Sequence, residues 1–384
     1  MAASSPLLSR DAALAILGVR PQTLYAYVSR GLIRMQADPG EPRRSLYLRH
    51  DIEALVARKK RSRRRADIAS SAIAWGEPVL ESAISTVRDG RLVFRGQDAA
   101  ALSSRASLED VAAVLWNCAA FDPPAKSPPI PRNAQRGGAA SRALAALGDL
   151  AARQQPIVGR GDDRLVEDAR ATLYAFVDAI AERPGSGRAH ERIAAGWKLD
   201  ARGADLVRRA LALIADHELN ASTFAVRVAA STGAPLAAAA LAGFCALLGP
   251  LHGGAIASSL DLLDRMMASR GQRAFARAAI ARGERFLGFG HPLYPLGDMR
   301  ALALRAAMKP PTKIARALDV AADEVGRPPN IDIMLAALTR QLALPDDAPL
   351  RLFAAGRMAG WLAHAMEQGR SGRLIRPRAR YIGV

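Results

Sequence analysis

From Asp67 to the C-terminus the chain reads as one helix after another, and this pattern constrains the fold more than any other feature. Alanine is abundant, aromatic residues are few, and Ala, Leu and Arg are all good helix formers. Leu165 to Glu182 has the pattern of a long helix. Asp200 can cap another, with Leu206, Ala210, Leu213 and Ile214 along one face, and Ser222 can start the next. Leu92-Val93-Phe94-Arg95-Gly96 reads as a short strand, and the Pro-rich stretch Asp122 to Pro131 as an exposed loop. No internal repeat is present. Half of the 384 residues are hydrophobic, so a large core can be buried, and the length suits two or three domains. The expected body is mostly α, built of packed helical hairpins.

The first 66 residues follow another plan. Ser9 caps a helix from Arg10 to Leu17, with Asp11 in its first turn. Gly18-Val19-Arg20 makes a turn, Pro21 sits in the first turn of a second helix, and Gly31 stops it. Two short strands are expected at Leu32-Ile33-Arg34 and Arg43 to Tyr47, around Asp38-Pro39-Gly40-Glu41-Pro42, with a third helix from about Asp51 to Arg58. Helix, turn, helix and basic hairpin is the plan of a small winged helix-turn-helix domain. The run Leu8-Ser9-Arg10-Asp11-Ala12-Ala13, Leu17-Gly18-Val19 and Thr23 to Val28 resembles the DNA-binding domain of mercury-resistance-type (MerR-like) regulators. That arrangement puts the second helix in the major groove, with Gln22, Thr23, Tyr25 and Arg30 facing DNA and Arg43 and Arg44 on phosphates. The alternative is a helical module kept for packing or dimerisation. Arg58 to Arg65 is a dense basic run, expected to be a solvated linker that can also touch phosphates.

Net charge is +18, which suits anionic partners or an arginine-rich solvated surface. Cys118 and Cys245 are expected to be buried free thiols, and no Cys/His cluster has zinc-site spacing. Neither a signal pattern nor an apolar run of membrane-spanning length is present, so a cytoplasmic protein is expected.

Four segments carry chemistry. They are Asp216-His217-Glu218-Leu219-Asn220, Gly249-Pro250-Leu251-His252-Gly253-Gly254, Gly288-Phe289-Gly290-His291-Pro292-Leu293-Tyr294 with Arg300 beyond it, and Pro329-Asn330-Ile331-Asp332. The tail adds Arg357 and Arg376-Pro377-Arg378. A lone histidine on an apolar stretch is usually structural, but glycines beside His252 and His291 let a ligand approach closely. Asp332 lies in an apolar stretch, where burial raises a carboxyl group toward the range of a working base.

In order and spacing these segments resemble the citrate synthase family, from about Ile68 to the C-terminus and most closely after Asp216. The resemblance implies a two-domain helical fold: a large domain from 67–225 and 337–384, and a small one over 226–336 that closes on it. It assigns Asp332 as the base that takes a proton from acetyl-CoA, His252 as hydrogen-bond donor to the enolate oxygen, and His291 as the acid at the ketone of oxaloacetate. Arg300, Arg357 and Arg376 bind carboxylates with His217, and backbone amides of Gly288, Phe289 and Gly290 lie near CoA. In the family the last arginine crosses from a partner subunit, which implies a homodimer. No metal or redox cofactor is needed. Two departures stand out: Asp298-Met299-Arg300 replaces Asp-Pro-Arg, which is expected to loosen the backbone, and Phe94-Arg95-Gly96-Gln97-Asp98 replaces Tyr-Arg-Gly-Tyr-Asp. A 2-methylcitrate synthase using propionyl-CoA, or a DNA-binding regulator that uses the synthase fold as a metabolite sensor, are the competing readings.

Overall fold

The computed structural model describes residues 7–38, 40–41, 44–53, 55–56, 80–124, 131, 137–181, 186–379 and 381–383. The chain divides into two compact units between Glu81 and Ser82.

In the first unit, Ser9 Oγ accepts from Ala12 N and opens α1 (Arg10–Leu17), and Gly18 ends it in the left-handed region at φ 62°. Pro21 takes the N1 position of α2 (Pro21–Ser29), where its missing N–H costs nothing. Strands β1 (Leu7–Leu8), β2 (Met35–Ala37) and β3 (Ser45–Leu48) form an antiparallel sheet in the order β1-β3-β2. A further helix, α3, covers residues 49–53 and 55–56. Leu8, Ala13, Leu17, Leu24, Ile33, Tyr47 and Ile52 make the core. The first strand of the expected hairpin lies three residues later than 32–34. Ile33 is drawn into the core instead, and Arg34 is held outside it by a two-pronged bond to Asp51. Helix α3 also starts earlier than Asp51, at residue 49. Arg43 and the basic run 58–65 lie outside the described residues.

The second unit opens on a small antiparallel sheet, β4 (Ser85–Arg88), β5 (Arg91–Phe94) and β6 (Gln97–Asp98). Asp89 and Gly90 both have positive φ, the signature of a tight two-residue hairpin. The expected strand at 92–96 therefore stops at Phe94, and Arg95-Gly96 make the next turn. Among the described residues helices follow without further sheet: α4 (Ala99–Ser103), α5 (Leu108–Trp116), α6 (Ala139–Arg153), α7 (Asp162–Ala181), α8 (Ala189–Gly196), α9 (Ala201–Leu213), α10 (Ala221–Ser231), α11 (Leu236–Leu247), α12 (Gly254–Ala268), α13 (Gln272–Ala281), α14 (Met299–Met308), α15 (Thr312–Val325), α16 (Ile331–Gln341) and α17 (Ala348–Ser371). Asp200 caps α9 as expected, and Leu206, Ala210 and Leu213 are buried. Asn220, not Ser222, caps α10. Both cysteines are free, but Cys245 is exposed, contrary to expectation, because it falls on the outward face of α11 away from Gly243, Phe244 and Leu247.

Helix α17 is the axis of this unit. It is buried along almost its whole length and packs against α5, α7, α9, α10, α11 and α16. A Cβ at Gly360 would lie 2.5 Å from Ala215 O and 2.2 Å from Asp216 Oδ1, so only glycine lets α17 meet that segment. Gly360 N donates to Ala215 O across the contact. This fixes the backbone on which His217 stands.

Candidate active site

The loop 288–290 and the start of α16 are joined by one side chain. Asn330 caps α16, its Oδ1 accepting from Asp332 N at 3.0 Å, while its Nδ2 donates to Leu287 O and Gly290 O. Asn330 N also donates to Gly288 O, and Gly290 N to Pro328 O. The Gly288-Phe289-Gly290 backbone is thereby held against the turn that carries Asp332.

Asp298 adds a second joint. It caps α14, pairs with the buried Arg300 through two bonds of 2.9 Å, and accepts from Ile331 N at 3.0 Å. Met299 occupies N1 of α14, the position where proline would be tolerated, and the cap holds without it. Arg300 also lies over Tyr294, 5.1 Å from its ring centre.

Three histidines line the same region. His217 is buried, with Nε2 2.9 Å from Tyr294 Oη, and its ring meets His291 edge-on at 5.0 Å. Burial, then the charges of Arg300 and Arg357, hold His217 well below the ordinary imidazole range. His291 falls to about 4, from burial first and Arg300 next. Its Nδ1 accepts from Leu293 N, so the single proton of the neutral ring sits on Nε2. His252 stands one residue before the N-cap of α12 and falls to about 4, mainly through burial and secondarily through Arg357. A Cβ at Gly253 would lie 2.2 Å from Leu247 O, so the tight turn behind His252 requires glycine. His252 Nε2 is 2.9 Å from Ser222 Oγ, which also receives the Trp361 indole N–H. Residues of α10, α12 and α17 thus converge on one imidazole.

Asp332 moves the other way. Burial, opposed by Arg300 and Arg357, raises it to about 6. Among the described residues no donor bonds to its carboxylate, which leaves it open to take a proton. Arg357 is buried, with Nε donating to Ile214 O and its guanidinium over Phe353 at 4.7 Å. No carboxylate among the described residues closes on it, and burial lowers it to about 10.

His217, His291, Arg300, Arg357 and Asp332 therefore act on one another, with His252 coupled through Arg357. Arg376 stays apart: it is exposed on the tail beyond α17, outside any helix or strand. Sequence reading left Ser222, Asp298, Asn330 and Tyr294 without a role in the site. The two caps carry a local signal, a polar residue immediately before an apolar helical run. Ser222 carries none, since its partner lies thirty residues away.

In the first unit, Gln22, Tyr25, Arg30 and Arg44 are exposed and Thr23 is half-buried. Arg44 is engaged with Glu41 at 2.7 Å.

A family model described as "Citrate synthase, C-terminal domain" matches residues 130–378. Citrate synthase 2 of Bacillus subtilis is 30% identical over 345 residues, covering 79% of this chain and 93% of that protein. The 2-methylcitrate synthase 1 of Corynebacterium glutamicum is 35% identical over 201 residues, 48% of this chain and 52% of that one. Among solved structures, the citrate synthase of Thermoplasma acidophilum, in ternary complex with carboxymethyl coenzyme A and oxaloacetate, superposes with a TM-score of 0.67 at 24% identity. It matches 80% of this chain and 94% of that one.

Proposed function

The chain belongs to the citrate synthase family and is an acyltransferase of that type, and we propose that it condenses acetyl-CoA with oxaloacetate and hydrolyses the citryl thioester to citrate and CoA. One observation carries the assignment of roles: two imidazoles held neutral and one carboxyl group raised to about 6 stand among two buried arginines. Asp332, ionised at neutral pH yet basic for a carboxylate, takes a proton from the thioester methyl group. His252 Nε2 is engaged with Ser222 Oγ, so the enolate oxygen is served by Nδ1, which carries the ring's proton in the tautomer where the Ser222 hydroxyl turns from Asn220 Oδ1 to donate to Nε2. A neutral imidazole does this better than a cation would, because it keeps the proton shared and not lost. The enolate carbon then bonds to the ketone carbon of oxaloacetate, and His291 Nε2–H protonates the new alkoxide. Arg300, Arg357 and His217 hold the oxaloacetate carboxylates, and the Gly288-Phe289-Gly290 backbone contacts CoA. Water finally attacks the citryl thioester carbonyl and thiolate leaves, so no metal or redox group enters the sequence of steps.

The exposed tail supports a homodimer in which Arg376 completes the partner's site. Leu374, Tyr381 and Ile382 on that tail are exposed and apolar, and a second copy would cover them. Residues 226–336 form the part that closes over the rest of the second unit. No described helix is long and apolar enough to cross a membrane, and two free thiols suit a reducing cytoplasm. The first unit binds DNA through Gln22, Thr23 and Tyr25 of α2 and Arg30 at its end, with Arg43 and Arg44 on phosphates.

Thiol release from acetyl-CoA and propionyl-CoA, each with oxaloacetate, tests the donor. A preference for acetyl-CoA is expected; a clear preference for propionyl-CoA makes the enzyme a 2-methylcitrate synthase, the activity named for the Corynebacterium relative. One methylene changes binding by only about 1–3 kcal/mol, so the ratio must be measured and not read from the pocket. Absence of turnover combined with oxaloacetate-dependent DNA binding would replace the enzyme by a sensor.

A further inference from the structure

The residues on either side of His217 are gripped by a strand more than 120 positions earlier in the chain. Ser85 Oγ donates to Asp216 Oδ2 and accepts from Glu218 N at 3.0 Å. Val87 N and Thr86 Oγ1 both donate to Glu218 Oε1, at 2.7 and 3.1 Å. Glu218 sits at φ 50°, an unfavourable conformation for a residue with a Cβ, and these bonds hold it there. His217 therefore has one neighbour fixed by a hydroxyl and the other fixed by a strand backbone.

The grip is closed into a ring by α17. Asp216 Oδ2 also accepts from His364 Nε2 at 3.2 Å, and Arg227 Nη1 donates to His364 Nδ1 at 3.2 Å, which sets the tautomer. Arg227 pairs with Glu367, and Glu367 Oε1 accepts from Ala83 N at 2.8 Å. Ala83 is two residues from Ser85, so the chain of bonds returns to its start. Asp216, Arg227 and His364 are buried, so water cannot replace a missing member. Ser85 is the member of this ring that bonds on both sides of His217.

We propose that Ser85 is a positioning residue for oxaloacetate binding, acting through the Asp216-His217-Glu218 segment and not by touching substrate. The proposal rests on His217 contacting oxaloacetate, as set out above. It predicts a selective defect. In steady-state assays on the full chain, Ser85→Ala raises KM for oxaloacetate about tenfold, the value of one charge-assisted hydrogen bond. KM for acetyl-CoA stays within about twofold, since the 288–290 loop is anchored independently by Asn330. Ser85→Thr keeps the hydroxyl and restores most of the oxaloacetate KM. Glu218→Ala, which frees the other side of His217, gives the same split and serves if Ser85→Ala folds poorly. An unchanged oxaloacetate KM in Ser85→Ala, or an equal rise for both substrates without rescue by threonine, overturns the positioning role. His217→Gln in the same assay separates the two levels: if it leaves oxaloacetate KM unchanged, the reading of His217 fails and the proposal falls with it. If it raises that KM while Ser85→Ala does not, only the positioning fails.

Discussion

The two units of this chain carry charge in opposite ways. In the first, a seven-residue core holds up a surface on which Gln22, Tyr25, Arg30 and Arg44 are exposed. In the second, the arginines and the aspartate that matter are buried, and the surrounding fold pushes their proton affinities away from ordinary values. Exposed charges are screened by salt and tolerate substitution. Buried ones are costly to leave unpaired and intolerant of loss. The contrast teaches that the first unit's chemistry is a property of its surface, while the second unit's chemistry is inseparable from its stability.

The largest effect should come from the buried base. Asp332→Asn is expected to lower kcat about 10²–10⁴-fold, the usual range for a lost general base, while calorimetry still detects oxaloacetate binding. Near wild-type turnover would break the assignment. Next comes Arg300→Ala, which strands Asp298 as a buried, unpaired charge and should cost about 3–5 kcal/mol in urea unfolding. The third test uses pH. Asp332 must be ionised to act, so kcat/KM is expected to fall about tenfold per pH unit below about 6. Its folded pKa is raised, so the folded state binds the proton more tightly than the unfolded chain. The stabilising contribution of protonated Asp332 is therefore complete below the ordinary carboxylate value and is lost as pH rises through about 6. Asp332→Asn should accordingly gain stability relative to wild type at pH 7 by about 2–3 kcal/mol, with the gain vanishing near pH 4. A constant difference between pH 4 and 7 would contradict the raised pKa. The smallest effect belongs to the surface: on the proposed DNA-binding face, Arg44→Ala should reduce the slope of log affinity for DNA against log salt by about 1. Condensation should be unaffected, and a loss of turnover in that variant would tie the two units together functionally.

Local signals explain what could be read without coordinates. Ser9, Asp200 and Gly18 act on atoms within four residues of themselves, and their roles were legible as two caps and a turn. The site histidines and Asp332 were legible because such groups are rare on apolar or glycine-flanked stretches and recur in the order of a known family. The supports were not legible. Ser222 meets His252 across thirty residues, Asn330 meets Leu287 across forty-three, and Ser85 meets Asp216 across 131. Such pairings depend on how helices are stacked, which no local pattern encodes. The misplaced strand at 32–34 has the same origin, since Ile33 was claimed by the core of its unit and not by the sheet. The exposure of Cys245 has no local signal, because α11 is apolar nearly all round and its pattern does not mark an outward face.

Arg357, buried against Phe353, feels Asp216 first and the opposing charge of Arg300 next, and this has a consequence for selectivity. Two guanidinium groups held close in a dry setting repel each other, and an incoming pair of carboxylates relieves that repulsion. The site is thus a filter that weighs visitors by electric charge before it compares their outlines. An oxaloacetate analogue with one carboxylate turned into an amide has nearly the same outline, yet it should be turned away.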